Sequence, residues 1–538
     1  MPNKQYKKVV LVVMDGFGVA THSHGNAISL AKPAIIDEII NNFPSLTLQA
    51  SGPVVGLPWG EMGNSEVGHL NMGAGRIVGQ DLPRITLAIS DRSFFKNQEF
   101  NNAIEHMRKH DSRLHLIGMI SDGGVHSFNQ HLYALLGLAQ EKGVSEVYLH
   151  MFTDGRDTAQ KVALDQLAKL KQQIDTIGIK AKIATITGRF YAMDRGRHWD
   201  QTEATYQAIV NGIGEEAASP EECIQRNYDH QIFDEMIKPT VITEADASVG
   251  SKNPTVTVRD NDAVIFFNFR SDRMIQLVQA FAQPQMMEIQ SKHQQLQNLY
   301  IVTMTQYATD LPVHIAFPAA NLSNNVAEVV SKTKLTQFHI AESEKYAHVT
   351  SFFNGGVSQE LPGEERLIIT SPNNTKNYVD HPQMSAEELT TTLIDKIVNA
   401  NHALYVANFA NPDMAGHTGN LPAAILAIQC VEKMLKQIMD AVLRVDGVLI
   451  ITGDHGNVEQ MIDVRTGDVN KDHSTNPVPF ILVAKEYKLQ KPKEGGYLSL
   501  AAQVPSGVIS DIAPTILDLL DIPKPKEMTS VSLLQFLK

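Results

Sequence analysis

Two short stretches pair an aspartate with an imidazole: Asp413-Met414-Ala415-Gly416-His417 and Asp454-His455. His473, in Asp472-His473-Ser474-Thr475-Asn476-Pro477, adds a nitrogen, and Asp15 closes the first apolar run of the chain. Carboxylate oxygens with imidazole nitrogens suit borderline divalent metals such as Mn2+ and Zn2+. One Asp-x-x-x-His alone would describe a solvated turn. Asp15, Asp413, His417, Asp454, His455 and His473, with no cysteine among them, are too many for one tetrahedral site. They point to two metals, and paired metals favour phosphoryl chemistry.

Ser65 sits in the glycine-rich stretch Gly60-Glu61-Met62-Gly63-Asn64-Ser65-Glu66-Val67-Gly68-His69. A serine entering a helix there exposes a hydroxyl beside backbone N–H groups that suit an anion. An ordinary N-cap with Glu66 in the first turn has the same pattern. A serine hydroxyl is a poor nucleophile until its pKa falls. Nearby metal can lower it, so the nucleophile reading depends on the metal reading. A third group is cationic: Arg156, Arg189, Arg195, Arg270 and Arg273. Guanidinium forks bind phosphate or carboxylate through two bonds and stay charged at any working pH. Several of them after the strands of one domain suggest a small polyanion. His126 and Asp157 could move a proton to or from a hydroxyl, or could simply close turns.

Short apolar, β-branched runs must position these residues. Strands are expected at Val9–Val13, Leu114–Met119, Glu146–Met151, Lys182–Ile186, Ala263–Asn268, Tyr300–Thr305, Leu404–Asn408, Val448–Thr452 and Phe480–Val483. Helical spacing of apolar residues fills Gln130–Lys142, Lys161–Ile174, Ala386–Asn399 and Leu421–Val442. Strand–helix alternation with continuous apolar strands predicts an α/β fold of parallel-rich sheets wound with helices on both faces. Nearly every strand runs into a polar, glycine-containing segment, and ligands bind at the carboxyl ends of such strands. The acidic and imidazole residues lie toward the two chain ends and the arginines in the middle. The expected organisation is therefore a discontinuous domain, 1–80 and 320–538, with a second domain, 84–312, inserted in it. Proline-containing linkers are expected near 80–84 and 312–320.

Composition narrows the function classes. The chain has 538 residues, enough for two or three domains, and 43% are hydrophobic. A net charge of -13 lacks the basic balance of a nucleic-acid binder. The apolar run Val9–Met14 is too short for a signal or membrane segment. Two distant cysteines, Cys223 and Cys430, fit a reducing cytoplasm better than a disulfide framework.

A wider resemblance joins these pieces. The segments are VVMDGFG (Val12–Gly18), GNSEVGHLNMGAGR (Gly63–Arg76), SDGGVHS (Ser121–Ser127), TDGRDT (Thr153–Thr158), TGRFYAMDR (Thr187–Arg195), FFNFRSDR (Phe266–Arg273), EKYAHVTSFFNGG (Glu344–Gly356), NPDMAGHTG (Asn411–Gly419), TGDHGN (Thr452–Asn457) and HSTNPVP (His473–Pro479). In this order the chain closely resembles the cofactor-independent (2,3-bisphosphoglycerate-independent) phosphoglycerate mutases of the alkaline phosphatase superfamily.

The resemblance implies an alkaline-phosphatase-like metal domain with an inserted α/β substrate-binding domain. It implies Asp15, Ser65, Asp454 and His455 as ligands of one divalent ion and Asp413, His417 and His473 as ligands of another, with Mn2+ the expected metal. Ser65 would carry a phosphoryl group. His126, Arg156, Asp157, Arg189, Arg195, Arg270, Arg273 and Lys345 match substrate-binding positions. Asp157 resembles a general acid/base, and Lys345 would set a cation beside the transferring phosphate. The implied reaction interconverts 3- and 2-phosphoglycerate in glycolysis and gluconeogenesis, in a cytoplasmic monomer without nucleic-acid or membrane partners. Closure of the inserted domain over the site is expected to keep water out. A metal-dependent phosphatase or sulfatase is the alternative. Two segments depart from the family wording, Ser371–Ser385 and the long Lys485–Ser510. Neither contains a proposed ligand.

Overall fold

The computed structural model describes residues 5–246, 251–283, 296–319, 322–371, 378–463 and 465–537. It separates into two compact units, one made of Met1–Gln80 and Ala320–Lys538, the other of Asp81–Ala319. Each is built around one wound, parallel-rich sheet.

In the discontinuous unit, five strands run parallel in the order Glu364–Ile369, Gln337–Glu342, Leu404–Phe409, Val9–Met14, Val448–Thr452. Val478–Val483 then pairs antiparallel, followed by Ser45–Gln49 and the short Gly507–Val508. The central strand, VVLVVM, is buried throughout. Its side chains alternate between two cores: Val10, Val12 and Met14 face one, and Val9, Leu11 and Val13 the other. That two-sided burial explains the unbroken apolar run, since each fully buried aliphatic side chain contributes about 1.5–3 kcal/mol. Helices Ala386–Asn399 and Leu421–Arg444 cover the first face and Ile512–Leu519 the second.

The sheet of the other unit follows the same logic. His314–Phe317, Tyr300–Thr305, Ala263–Phe266, Leu114–Ile120, Val147–Thr153 and Ala181–Gly188 are parallel neighbours in that order. Thr240–Asp246 then pairs antiparallel. Leu114, Leu116 and Ile120 enter one core, Ile117 and Met119 the other.

Besides the two-residue Gly507–Val508, three strands of the discontinuous unit were not expected from the sequence: Ser45–Gln49, Gln337–Glu342 and Glu364–Ile369. Each mixes polar with apolar residues, so none forms a continuous apolar run. The strand expected to reach Asn268 stops at Phe266. Asn268 instead uses its side-chain oxygen to accept from Met119 N–H at 2.8 Å. The first expected linker is helical, part of Asp81–Ser90. Pro83 sits in its first turn, where a missing N–H costs nothing. The second holds strand His314–Phe317, and residues 320 and 321 lie outside the described residues. Of the divergent segment Ser371–Ser385, residues 372–377 also lie outside them. Lys485–Ser510 forms a 3-10 turn, Lys485–Tyr487, and a short helix, Gly496–Leu500.

Candidate functional site

Four neighbouring parallel strands of the discontinuous unit deliver chemistry from their carboxyl ends. Lys345 follows Gln337–Glu342, Asp413 follows Leu404–Phe409, Asp15 follows Val9–Met14, and Asp454-His455 follow Val448–Thr452. Ser65 opens the helix Ser65–Ala74, whose N-cap is Asn64, accepting from Val67 N–H at 2.9 Å. Ser65 is thus the first helical residue and not the cap, and its side chain is free to face the cluster. Its Oγ donates to Asp15 Oδ1 at 3.1 Å and lies 3.0 Å from His455 Nε2. Lys345 Nζ donates to Ser65 Oγ at 2.7 Å, to Asp15 Oδ1 at 2.6 Å and to Asp413 Oδ2 at 2.7 Å.

His417 and His473 complete the group. His417 Nδ1 lies 2.8 Å from the Lys471 carbonyl, and His473 Nδ1 2.7 Å from the Gly63 carbonyl. A carbonyl only accepts, so each Nδ1 carries a proton, and Nε2 is the ring atom turned toward Asp413. Those two Nε2 atoms are 3.1 Å apart, each 3.4 Å from Asp413 Oδ1. Two ring nitrogens and a carboxylate oxygen converging this way are a donor set that suits a divalent cation. Asp413, His455 and His473 also offer ligand atoms within 4.8 Å of one another, as do Asp15, Asp454 and His455. Asp454 Oδ1 accepts from Gly16 N–H and His455 N–H, both at 3.0 Å, whereas its buried Oδ2 has no hydrogen-bond partner.

The electrostatics carry the same message. Burial opposes charge on Asp15, but the Lys345 ammonium outweighs it and holds the carboxyl well below its usual range. Asp413 is held low the same way, against its burial, by Lys345 and then by His417 and His473. Burial disfavours charge on Lys345 too, and Asp15 and Asp413 more than compensate, raising it. Burial and the neighbouring Asp15 push Asp454 up to about 7. Lys345 also pulls Asp454 down, but by less than its surroundings push it up. His455, which burial would lower, is raised to about 10 by Asp454 and Asp15. A buried cluster that must borrow protons to balance its charge is one that divalent ions fit.

In the other unit, His126 follows Leu114–Ile120, Arg156 and Asp157 follow Val147–Thr153, Arg189 follows Ala181–Gly188, and Arg270 and Arg273 follow Ala263–Phe266. Arg189 is almost fully buried, 3% exposed, and donates to Asp154 Oδ1 at 2.7 Å and to Asp157 Oδ2. Arg195 and Arg270 are 56% and 50% exposed and share Asp272, at 2.7 and 3.1 Å. Arg156, 59% exposed, lies 3.4 Å from Glu235. Arg273 donates to the Met193 carbonyl at 3.3 Å. Its guanidinium is pushed down by burial and then by Arg195 and Arg189, the signature of cations crowded together. His126 is pushed down to about 4, by burial and then by Arg189, so it is neutral near pH 7. Its Nδ1 has no hydrogen-bond partner, and its Nε2 is 4.0 Å from Asp157 Oδ2. These groups set several guanidinium side chains near a neutral imidazole and a carboxylate.

Residues 85–309 match the family model described as the BPG-independent PGAM N-terminus. Over 529 residues the chain is 46% identical to the 2,3-bisphosphoglycerate-independent phosphoglycerate mutase of Clostridioides difficile, covering 98% of this chain and 99% of that one. The chain belongs to this mutase family. The protein of that name from Thermomicrobium roseum is 45% identical, with 98% of both chains covered. A crystal structure of Leishmania mexicana phosphoglycerate mutase at low cobalt concentration superposes with a TM-score of 0.59 at 28% identity, covering 98% of this chain and 97% of that one. Family membership makes the protein an isomerase.

The structure adds residues of the mutase that no sequence pattern singled out. Asn408 donates to Asp15 Oδ2 at 2.7 Å and to His69 Nε2 at 3.0 Å, and His69 Nδ1 contacts the Ser65 carbonyl at 2.9 Å. Asn457 donates to Asp413 Oδ1 at 2.8 Å. Asp154 and Asp272 gather the arginines. A strand asparagine or a helical histidine carries no local signal for such a role; Asp272, lodged between Arg270 and Arg273, did.

Proposed function

We propose that the chain interconverts 3-phosphoglycerate and 2-phosphoglycerate through a phosphoserine on Ser65, without bisphosphoglycerate, in glycolysis and gluconeogenesis, as a cytoplasmic monomer. The observation that carries this reading is the Ser65 hydroxyl, 2.7 Å from Lys345 Nζ, 3.0 Å from His455 Nε2 and 3.1 Å from Asp15 Oδ1. Asp15, Ser65, Asp454 and His455 would hold one divalent ion, and Asp413, His417 and His473 a second, with Mn2+ the expected metal on this oxygen and nitrogen set. When bound, the pair supplies positive charge to the phosphoryl group and lowers the pKa of the serine hydroxyl.

The chain's own residues do the rest. Ser65 reacts as the alkoxide: its Oγ forms a bond to phosphorus as the bond from phosphorus to the glycerate oxygen breaks, and it is an alkoxide again once the phosphoryl group returns. Lys345 faces the charge that spreads over the phosphoryl oxygens. Asp157 protonates the departing glycerate oxygen and takes a proton from the other hydroxyl, which then recovers the phosphoryl group from Ser65. Arg156, Arg189, Arg195, Arg270, Arg273 and His126 hold the substrate's carboxylate and phosphate, so that glycerate is not lost between the two transfers.

The test supplies 3-phosphoglycerate without bisphosphoglycerate. 2-Phosphoglycerate should form, stop forming on addition of a chelator, and form again with Mn2+. Free phosphate accumulating in place of 2-phosphoglycerate would favour the hydrolase alternative.

A further inference from the structure

Glu459 is buried, 1% exposed, and belongs to none of the ligand or substrate groups above. Both of its oxygens are fully occupied. Oε2 accepts from Gly18 N–H at 3.1 Å and from Asn457 N–H at 2.8 Å. Oε1 accepts from the Ser474 hydroxyl and from Asn476 Nδ2 at 3.0 Å. These donors come from three segments of the chain. Gly18 is on the loop after Asp15, Asn457 on the loop that bears Asp454 and His455, and Ser474 and Asn476 on the loop that starts at His473.

Two glycines make room for this carboxylate. A Cβ on Gly18 would come within 2.4 Å of Glu459 Cδ, and one on Gly456 within 2.4 Å of Glu459 Oε1. Gly18 lies in the VVMDGFG segment and Gly456 in TGDHGN; at Gly456 the Ser474 hydroxyl, which donates to the same carboxylate, is nearer still. A buried charge accepting four hydrogen bonds is costly to disturb and holds its donors in a fixed arrangement.

We infer that Glu459 is a positioning residue for the metal centre: one carboxylate locks the three loops that present Asp15, Asp454-His455 and His473. It touches neither substrate nor the reacting atoms. Groups that orient ligands without binding the metal are worth about 10–100-fold in metal affinity. The inference rests on the proposal that these residues hold divalent ions.

The test measures Co2+ binding to metal-free protein by calorimetry, with the visible absorption of the bound ion reporting its geometry, for wild type, Glu459→Ala, Glu459→Gln and Asp413→Asn. Glu459→Ala should bind about 10–100-fold more weakly with an altered spectrum. Glu459→Gln, which keeps an acceptor for two of the donors, should recover part of the loss. Wild-type affinity and spectrum in Glu459→Ala, with Asp413→Asn impaired, would overturn the role of Glu459 and leave the metal reading standing. Equal binding by Asp413→Asn and wild type would overturn the metal reading and this inference with it. Should Glu459→Ala fail to fold, Ser474→Ala, which removes one donor, carries the test: several-fold weaker binding supports the role, and unchanged binding overturns it.

Discussion

The cluster around Ser65 and the arginine cluster around Arg189 differ in how much of their charge is already spoken for. Around Ser65 the acidic and imidazole side chains are mostly buried, and Lys345 already bonds two carboxylates and the serine. Around Arg189, one guanidinium is buried between aspartates while Arg156, Arg195 and Arg270 stay at least half exposed. A preorganised, dry cluster suits bond making, because its dipoles need no rearrangement when charge develops. Solvated arginines suit capture and release of a small anion, since each gives up little to let go. Substitutions in the first region should therefore act on turnover, and in the second on substrate retention.

The largest expected effect is from Ser65→Ala, which should lower turnover by about a thousandfold or more, as loss of a nucleophile does. Near-normal turnover in that variant would falsify the covalent route. Lys345→Met should cost about 100–1,000-fold in kcat with a smaller change in KM, measured by steady-state kinetics. A pure KM effect would erase the distinction between the regions.

Arg189→Ala bridges the two kinds of behaviour. It strands Asp154 and Asp157, so a stability loss of about 3 kcal/mol is expected in urea denaturation alongside weaker substrate binding. Arg195→Ala and Arg270→Ala should leave stability within about 0.5 kcal/mol and raise KM about tenfold. Arg156→Ala should raise KM or increase release of free phosphate.

A separate effect is in pH dependence. His126 is neutral in the fold down to about pH 4, whereas in the unfolded chain it charges near its ordinary value. The unfolded state thus binds the extra proton, and stability falls as pH drops from about 6.5 towards 4. Asp157, Asp272, Arg189 and Arg270 surround that ring. His126→Asn should flatten the acid side of the denaturation profile, and an unchanged profile would place the proton elsewhere.

Much of this was legible in the sequence, for a physical reason. Strands such as Val9–Met14 and Val448–Thr452 are buried on both faces and therefore apolar without interruption, and the reactive residues stand just beyond them. Gln337–Glu342 begins and ends with polar side chains, and it was missed. Lys345, three residues past its end, consequently entered only through family resemblance. Glu459, Asn408 and His69 were invisible for another reason. Their partners are remote in sequence, as with Glu459 and Gly18, 441 positions apart, and only the folded chain brings them together.

The most direct test of the central claim is to quench the enzyme with acid during turnover of 3-phosphoglycerate and locate covalent phosphate by peptide mass spectrometry. The account predicts phosphate on Ser65, acquired within one turnover and lost as 2-phosphoglycerate appears. Sustained conversion with Ser65 unmodified, or phosphate lodged on a different residue, would contradict it.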